Sequence, residues 1–186
     1  CVTLSLTQIP GIYAVRITVD GEELPHRDTQ IFRPSDVLLS SEEDVVRSLD
    51  VVLYFPEASS QQLLARQKTL TLYEGESAMG VLMEALQAGP EEDGVLPLLP
   101  DGFHVLTVRL AEDGVCHLNL PAADLELLPE GESAQLRMFR GIVRSLCSLD
   151  EVTSVQVLVD GEMRTSFGAV DTLLVYWVDI SQPLRP

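Results

Sequence analysis

The tetrapeptide VDGE occurs twice in this chain, at Val19 to Glu22 and at Val159 to Glu162. Asp-Gly alone is a common turn, so the flanks decide whether the two copies are related. A gapless shift of 140 residues lays Leu4–Glu22 over Arg144–Glu162, and seven of the nineteen positions are identical. Average residue usage would give roughly one identity. Ile9 meets Leu149, Ile12 meets Val152 and Ile17 meets Val157, so the apolar pattern agrees as well. The chain therefore carries an internal repeat, and a repeat constrains the fold before any local reading does. The C-terminal copy closes a unit that opens near Val51. The N-terminal copy has only the end of such a unit, which predicts a piece of a longer protein with two tandem units.

The repeat also decides a local ambiguity. CVTLSLTQI alternates like a strand, but its counterpart GIVRSLCSL places Ile142, Leu146 and Leu149 on one helical face. Val2, Leu6 and Ile9 are thus expected on the last turns of a helix, stopped by Pro10-Gly11. YAVRITVDG is the strand that follows. The expected organisation is residues 1–25 as the closing helix and strand of a first unit, 26–49 as a linker with one short extended piece, 50–163 as a complete unit, and 164–186 as a C-terminal extension.

Within the complete unit, Val51 to Phe55 reads as a buried strand ended by Pro56, and RQKTLTLYEG as a second strand with Leu70 and Leu72 on one face. Ser77 is placed to cap a helix running to about Ala88, with Gly89 as its left-handed terminator and Pro90 as its stop. Gly80 inside that helix points to close approach of a neighbouring strand. FHVLTVRLAEDGVCHLNL is a hairpin whose register follows from its polarity. A two-residue turn would mix apolar and polar residues on both faces. A three-residue loop, Glu112-Asp113-Gly114 with Gly114 left-handed, sets Leu110 against Cys116 and Val108 against Leu118. Thr107, Arg109, His117 and Asn119 then share the other face. A second helix opens on EGESA, the same pentapeptide that precedes the first, and carries Leu136, Phe139, Ile142 or Val143, Leu146 and Leu149 inward. Arg137, Arg140 and Arg144 lie away from that stripe. VTSVQVLVDGE closes the unit, and Leu173 to Val178 reads as a further strand. The order predicts an α+β fold, with two helices packed on one face of a small mixed sheet.

Composition narrows the function. The net charge is −17, from 29 acidic and 12 basic residues. Such a surface repels phosphate backbones and anionic lipid head groups, so no nucleic-acid partner is expected. No run approaches the roughly 18 apolar residues of a membrane span, so any membrane attachment is expected through an anchor upstream of this chain. The acidic runs Glu42-Glu43-Asp44 and Glu91-Glu92-Asp93 read as solvated loops. Cys1, Cys116 and Cys147 form no metal-ligand spacing, and Cys116 and Cys147 read as small buried hydrophobes. Cys1 runs directly into the apolar VTLSL, unlike an acylated cysteine on a polar tether. His26, His104 and His117 make no ligand pair, and no nucleophile, phosphate-loop or zincin motif is present. No catalytic residue, cofactor or metal is assigned.

VVLYFP, LMEALQAGP, LPLLPDGFHVLTVRLAEDGVCHLNL and FRGIVRSLCSLDEVTSVQVLVDGE occur here in that order. Together they resemble the GerMN domain, the sporulation and spore germination domain of endospore-forming Gram-positive bacteria. The resemblance covers Val51 to Glu162, and Leu4 to Glu22 resembles the last helix and strand of a preceding copy. The tail departs from the family, because AVDTLLVYW before VDISQPL is longer than usual. The resemblance implies a fold similar to the ring-building motif of secretion and sporulation channels. It implies an extracytoplasmic protein, anchored to the membrane as a lipoprotein, often with tandem domains and without catalysis of its own. The expected partners are other envelope or sporulation proteins, or a second copy of the chain.

Val95, Leu96, Leu98 and Leu99 in the loop GPEEDGVLPLLPDG are expected to tuck over the end of the core. The alternative is an exposed apolar patch, and in that case Leu96, Leu98 and Leu99 are one candidate surface for the interaction, the polar sheet face with Arg109 and His117 being the other. Tyr176 and Trp177 suggest an alternative, a cell-wall ligand domain that stacks aromatic rings on peptidoglycan sugars.

Overall fold

A computed structural model describes residues 15–16, 18–19, 22–23, 31–32 and 45–178. The chain divides into two compact units, Cys1–Asp44 and Val45–Pro186. In the first, β1 (Val15–Arg16) pairs antiparallel with β4 (Ile31–Phe32), and β2 (Thr18–Val19) with β3 (Glu22–Glu23). Val19 pairs with Glu22, the residues flanking Asp20-Gly21. The helix expected over the first nine residues, and Cys1, lie outside the described residues.

The second unit opens on a long hairpin, β5 (Val45–Pro56) against β6 (Leu63–Tyr73), with Leu53 opposite Arg66 and Phe55 opposite Leu64. Alternation divides its faces. Val51, Leu53, Phe55, Leu70 and Leu72 are buried, whereas Gln67, Thr69, Thr71 and Tyr73 are exposed. β5 starts six residues before the expected Val51, because Arg47, Ser48 and Asp50 give its first half the polarity of a loop.

Helix α1 (Ala78–Ala88) starts where Ser77 Oγ accepts the Gly80 N–H at 3.0 Å, and ends at Gly89 with φ +78°. A Cβ on Gly80 would lie 2.9 Å from that capping oxygen. The glycine therefore makes room for the cap, not for a neighbouring strand. β7 (Thr107–Leu110) and β8 (Val115–Leu120) form the hairpin in the register derived above, Leu110 to Cys116 and Val108 to Leu118, with Gly114 at φ +83°. A 3-10 turn (Ala122–Leu127) leads to α2 (Glu132–Leu146), which crosses over to β9 (Ser154–Val159), parallel to β8. EGESA does not start the two helices alike. Ser77 caps α1, whereas Gly131 at φ +88° is the N-cap of α2, so Ser133 already lies inside the helix.

β9 ends at Asp160 (φ +52°) and Gly161 (φ +85°), the two positive values of a type I′ turn. Val159 pairs with Glu162 across it, the same pairing as Val19 with Glu22. Asp160 Oδ1 accepts the Ala122 N–H, Oδ2 meets Arg164, and Asn119 Oδ1 accepts the Gly161 N–H. The corner is thus tied to the end of β8 as well as closed on itself. The tail forms a small hairpin, β10 (Ser166–Phe167) and β11 (Val170–Asp171), and then β12 (Val175–Tyr176), shorter than the expected Leu173–Val178 strand. Phe167 meets the Phe139 ring edge-on at 6.0 Å.

The main sheet has the order β12-β9-β8-β7. Cys116, Leu118 and Leu120 of β8 and Val155, Val157 and Val159 of β9 face the core with the buried sides of both helices. The β5–β6 hairpin is a separate two-stranded sheet. The outer edge of β5 is covered by a helix instead of a strand. Tyr54 N–H donates to Ser145 Oγ at 3.0 Å and Val52 N–H to Ser148 Oγ at 3.1 Å. Ser145 OH in turn donates to Gly141 O at 2.8 Å. Small residues at 141, 145 and 148 let α2 come within hydrogen-bond range of that backbone. Ser145→Ala would leave a buried amide without an acceptor. The expected loss is about 1–3 kcal/mol, read from the urea midpoint at unchanged slope.

Candidate interaction surface

One face of the main sheet is packed by helices, so the other is where this unit has side chains to offer. Register places Arg109, His117, Gln156 and Val175 in one row across the four strands. Neighbours in such a row are about 4.8 Å apart. Arg109 is exposed, His117 and Val175 are half-buried, and Gln156 is buried. Gln156 Nε2 donates to Thr172 O at 2.5 Å, which fastens the tail to β9. Trp177 follows β12 on the Val175 side of the alternation and is 41 % exposed, beside the exposed Val178. The result is a cation and an imidazole on the β7–β8 half of a face that no described helix covers, with the tail lying over Gln156 and the exposed indole just beyond β12.

The sequence-derived candidates separate in the structure. Arg109 and His117 are direct cross-strand partners, and Trp177 is the exposed residue directly after β12. Tyr176 alternates to the other side. It is buried, its OH donates to Asp171 O at 2.9 Å, and burial pushes its pKa up. Consecutive strand residues point to opposite faces, so Tyr176 and Trp177 cannot form one stacking platform. The loop also divides. Leu96 is 39 % exposed, but Leu98 and Leu99 are 6 % exposed and belong to the core.

Sequence reasoning missed Asp124. It is buried on the 3-10 turn, accepts the His104 N–H at 2.5 Å, and stands 3.4 Å from His104 Nδ1. His104 itself is largely exposed, so the carboxylate anchors the chain before β7. Nothing in PAADLEL signals that long-range bond. The thiols are unsuited to attack. Burial pushes Cys116 up to about 12 and Cys147 up to about 11, and Cys116 Sγ rests 3.6 Å from Met79 Sδ. Among the described residues, no three His, Cys, Asp or Glu side chains gather as a metal would require. No described helix is long and apolar enough to cross a membrane.

Against protein-family models, residues 52–165 match Germane, the sporulation and spore germination family. The chain belongs to the Germane family. The matched span runs from β5 through the Asp160-Gly161 corner. No curated protein matches the sequence. The fold is similar to that of the first GerMN domain of the sporulation protein GerM from Bacillus subtilis. That match has a TM-score of 0.53 at 19 % identity, over 67 % of this chain and 92 % of that one. The tandem GerMN domains of the same protein match with a TM-score of 0.49 at 20 % identity, over 87 % of this chain and 60 % of that one. In this chain the unit that contains the matched span holds a four-stranded mixed sheet with two helices on one face and a hairpin sealed against the second helix.

Proposed function

We propose that this Germane domain is a non-enzymatic, extracytoplasmic interaction module that helps assemble a cell-envelope complex during sporulation or germination. The observation that carries this reading is the open sheet face with Arg109, His117 and Trp177. Exposed Arg and Trp are the side chains that most often anchor protein interfaces. The buried Leu98 and Leu99 withdraw the loop patch and leave that face as the main docking area. In this reading residues 1–25 end a preceding copy, supported by the common Val–Glu pairing around the two Asp-Gly corners. A lipid anchor upstream holds the protein at the membrane, and a second copy of the chain is among the partners the sheet face would suit.

Arg109→Glu combined with Trp177→Ala tests the face. Both side chains are exposed, so the melting temperature is expected to stay near that of the wild type. Tagged protein expressed in its sporulating host is expected to lose its co-purifying envelope proteins. The same proteins recovered in the same amounts would reject the sheet face as the docking surface.

A further inference from the structure

Helix α2 turns Gly141, Ser145 and Ser148 toward β5 and its apolar side toward the sheet. Its remaining side carries Arg137, Arg140 and Arg144, at i, i+3 and i+7, a line about 10.5 Å long. The chain has 29 acidic residues, yet among the described residues none of these arginines makes an ion pair with a carboxylate. Arg140 Nε is buried without a hydrogen-bond partner among the described residues. Arg144 is held in place. Its guanidinium lies 5.7 Å from the Tyr54 ring centroid, and Nε donates to Val178 O at 3.2 Å. At the other end of the line, Arg137 borders a groove of about 170 Å³ lined by Pro56, Leu96, Pro97, Pro129 and Ala134.

We propose that this helix face docks a short acidic segment of a partner protein, whose carboxylates meet Arg137 and Arg140 while an adjacent apolar side chain enters the groove beside Leu96. Charge complementarity selects the acid. Planar guanidinium groups take carboxylates in paired hydrogen bonds, and neither Arg137 nor Arg140 meets a carboxylate among the described residues; with its Nε buried, Arg140 would offer a partner its terminal Nη groups. The groove selects a peptide over a phosphate polymer, because Pro56, Leu96, Pro97 and Ala134 offer a polymer of phosphates nothing to bind. The overall charge points the same way. A long polyanion would meet the field of the whole −17 chain, whereas a short segment meets mainly the arginines. The two helices lie on one face of the sheet, so this surface and the sheet face of Arg109 are on opposite sides of that layer. The domain then has two docking sides, which meet at the tail where Arg144 Nε bonds Val178 O.

The test uses the full chain and a short fluorescein-labelled peptide of alternating glutamate and leucine, followed by fluorescence anisotropy. The wild type is expected to bind it saturably and not to bind the version with lysine for glutamate. Arg137→Glu with Arg140→Glu is expected to weaken binding about tenfold or more, since each contact is a charge-assisted hydrogen bond. Leu96→Ser should also weaken it, which a purely electrostatic contact would not show. Circular dichroism melts verify the fold. If the charge-reversed protein is unfolded, Arg137→Gln with Arg140→Gln decides instead. Absent binding by the wild type, or undiminished binding by the folded arginine variant, overturns the proposal. So does a preference for polyphosphate or phosphatidylglycerol vesicles over the peptide. Arg109→Glu, which disables the other side, is expected to leave peptide affinity unchanged.

Discussion

Leu98→Asp is expected to abolish the cooperative unfolding transition, whereas Leu96→Asp is expected to leave it nearly unchanged. Leu98 is 6 % exposed and its side chain presses on α2 at Gly141. Removing a buried leucine costs about 2–5 kcal/mol. Placing a carboxylate there adds several kcal/mol of desolvation, or forces the group to take up a proton. The sum rivals the roughly 5–15 kcal/mol that holds a typical domain together. Leu96 is 39 % exposed and its backbone N–H is bonded to Pro56 O at 2.8 Å, a bond the substitution leaves in place. Far-UV circular dichroism against urea separates the two. Equal transitions in both variants would mean that Leu98 is not in the core. The sequence places both leucines in one apolar loop and makes Leu98 a candidate docking residue whose loss would spare the fold. The structure withdraws that alternative and keeps the other reading of the loop, as cover for the end of the core, because the loop between Gly89 and Phe103 folds back with Leu98, Leu99 and Phe103 inward.

Gly141→Val is the second large effect. A Cβ at this position would stand 2.5 Å from Leu98 Cδ1 and 2.8 Å from Cδ2. The neighbour is the tip of a side chain, but one that is itself 6 % exposed and belongs to the core. Overpacking of this kind costs about 1–3 kcal/mol. If α2 backs away from β5, the Ser145 and Ser148 bonds lengthen and add about 1–3 kcal/mol. A total loss of about 2–6 kcal/mol is expected from urea titration. Shortening the opposing side chain should relieve it. Gly141→Val with Leu98→Ala is expected to cost less than the sum of the single changes, by about 0.5–3 kcal/mol. Strict additivity would show that the two residues do not touch.

Local chemistry was readable where the signal is short-range. The β7–β8 register followed from polarity alone, since only one loop length puts Val108 and Leu110 on the side of Cys116 and Leu118. Ser77 and Gly89 marked the ends of α1 because caps act within a turn. The common pairing around the two Asp-Gly corners was visible as a repeat. The separate hairpin was not visible. Its position depends on Tyr54 and Val52 finding hydroxyls 91 and 96 residues further along the chain, and a serine inside an amphipathic helix does not announce such a bond. The candidate surface was half legible for the same reason. Arg109 and His117 share a face by alternation, which a sequence displays. The burial of Tyr176 depends on which side of β9 the tail takes, and the burial of Leu98 on where a fifteen-residue loop folds, Gly89 to Phe103.

The two serine bonds have a consequence for how the unit breathes. Inner amides of β5 exchange hydrogen with solvent only when β6 separates, because strand pairing protects them. The amides of Val52 and Tyr54 are shielded by side chains of α2. Their exchange therefore times a different event, the parting of helix from hairpin. Two neighbouring sets of amides on one strand thus act as separate clocks. If the hairpin and the helical layer open as distinct cooperative pieces, the even-numbered amides will lose protection first, while the odd-numbered ones still wait for the strand pair to unzip.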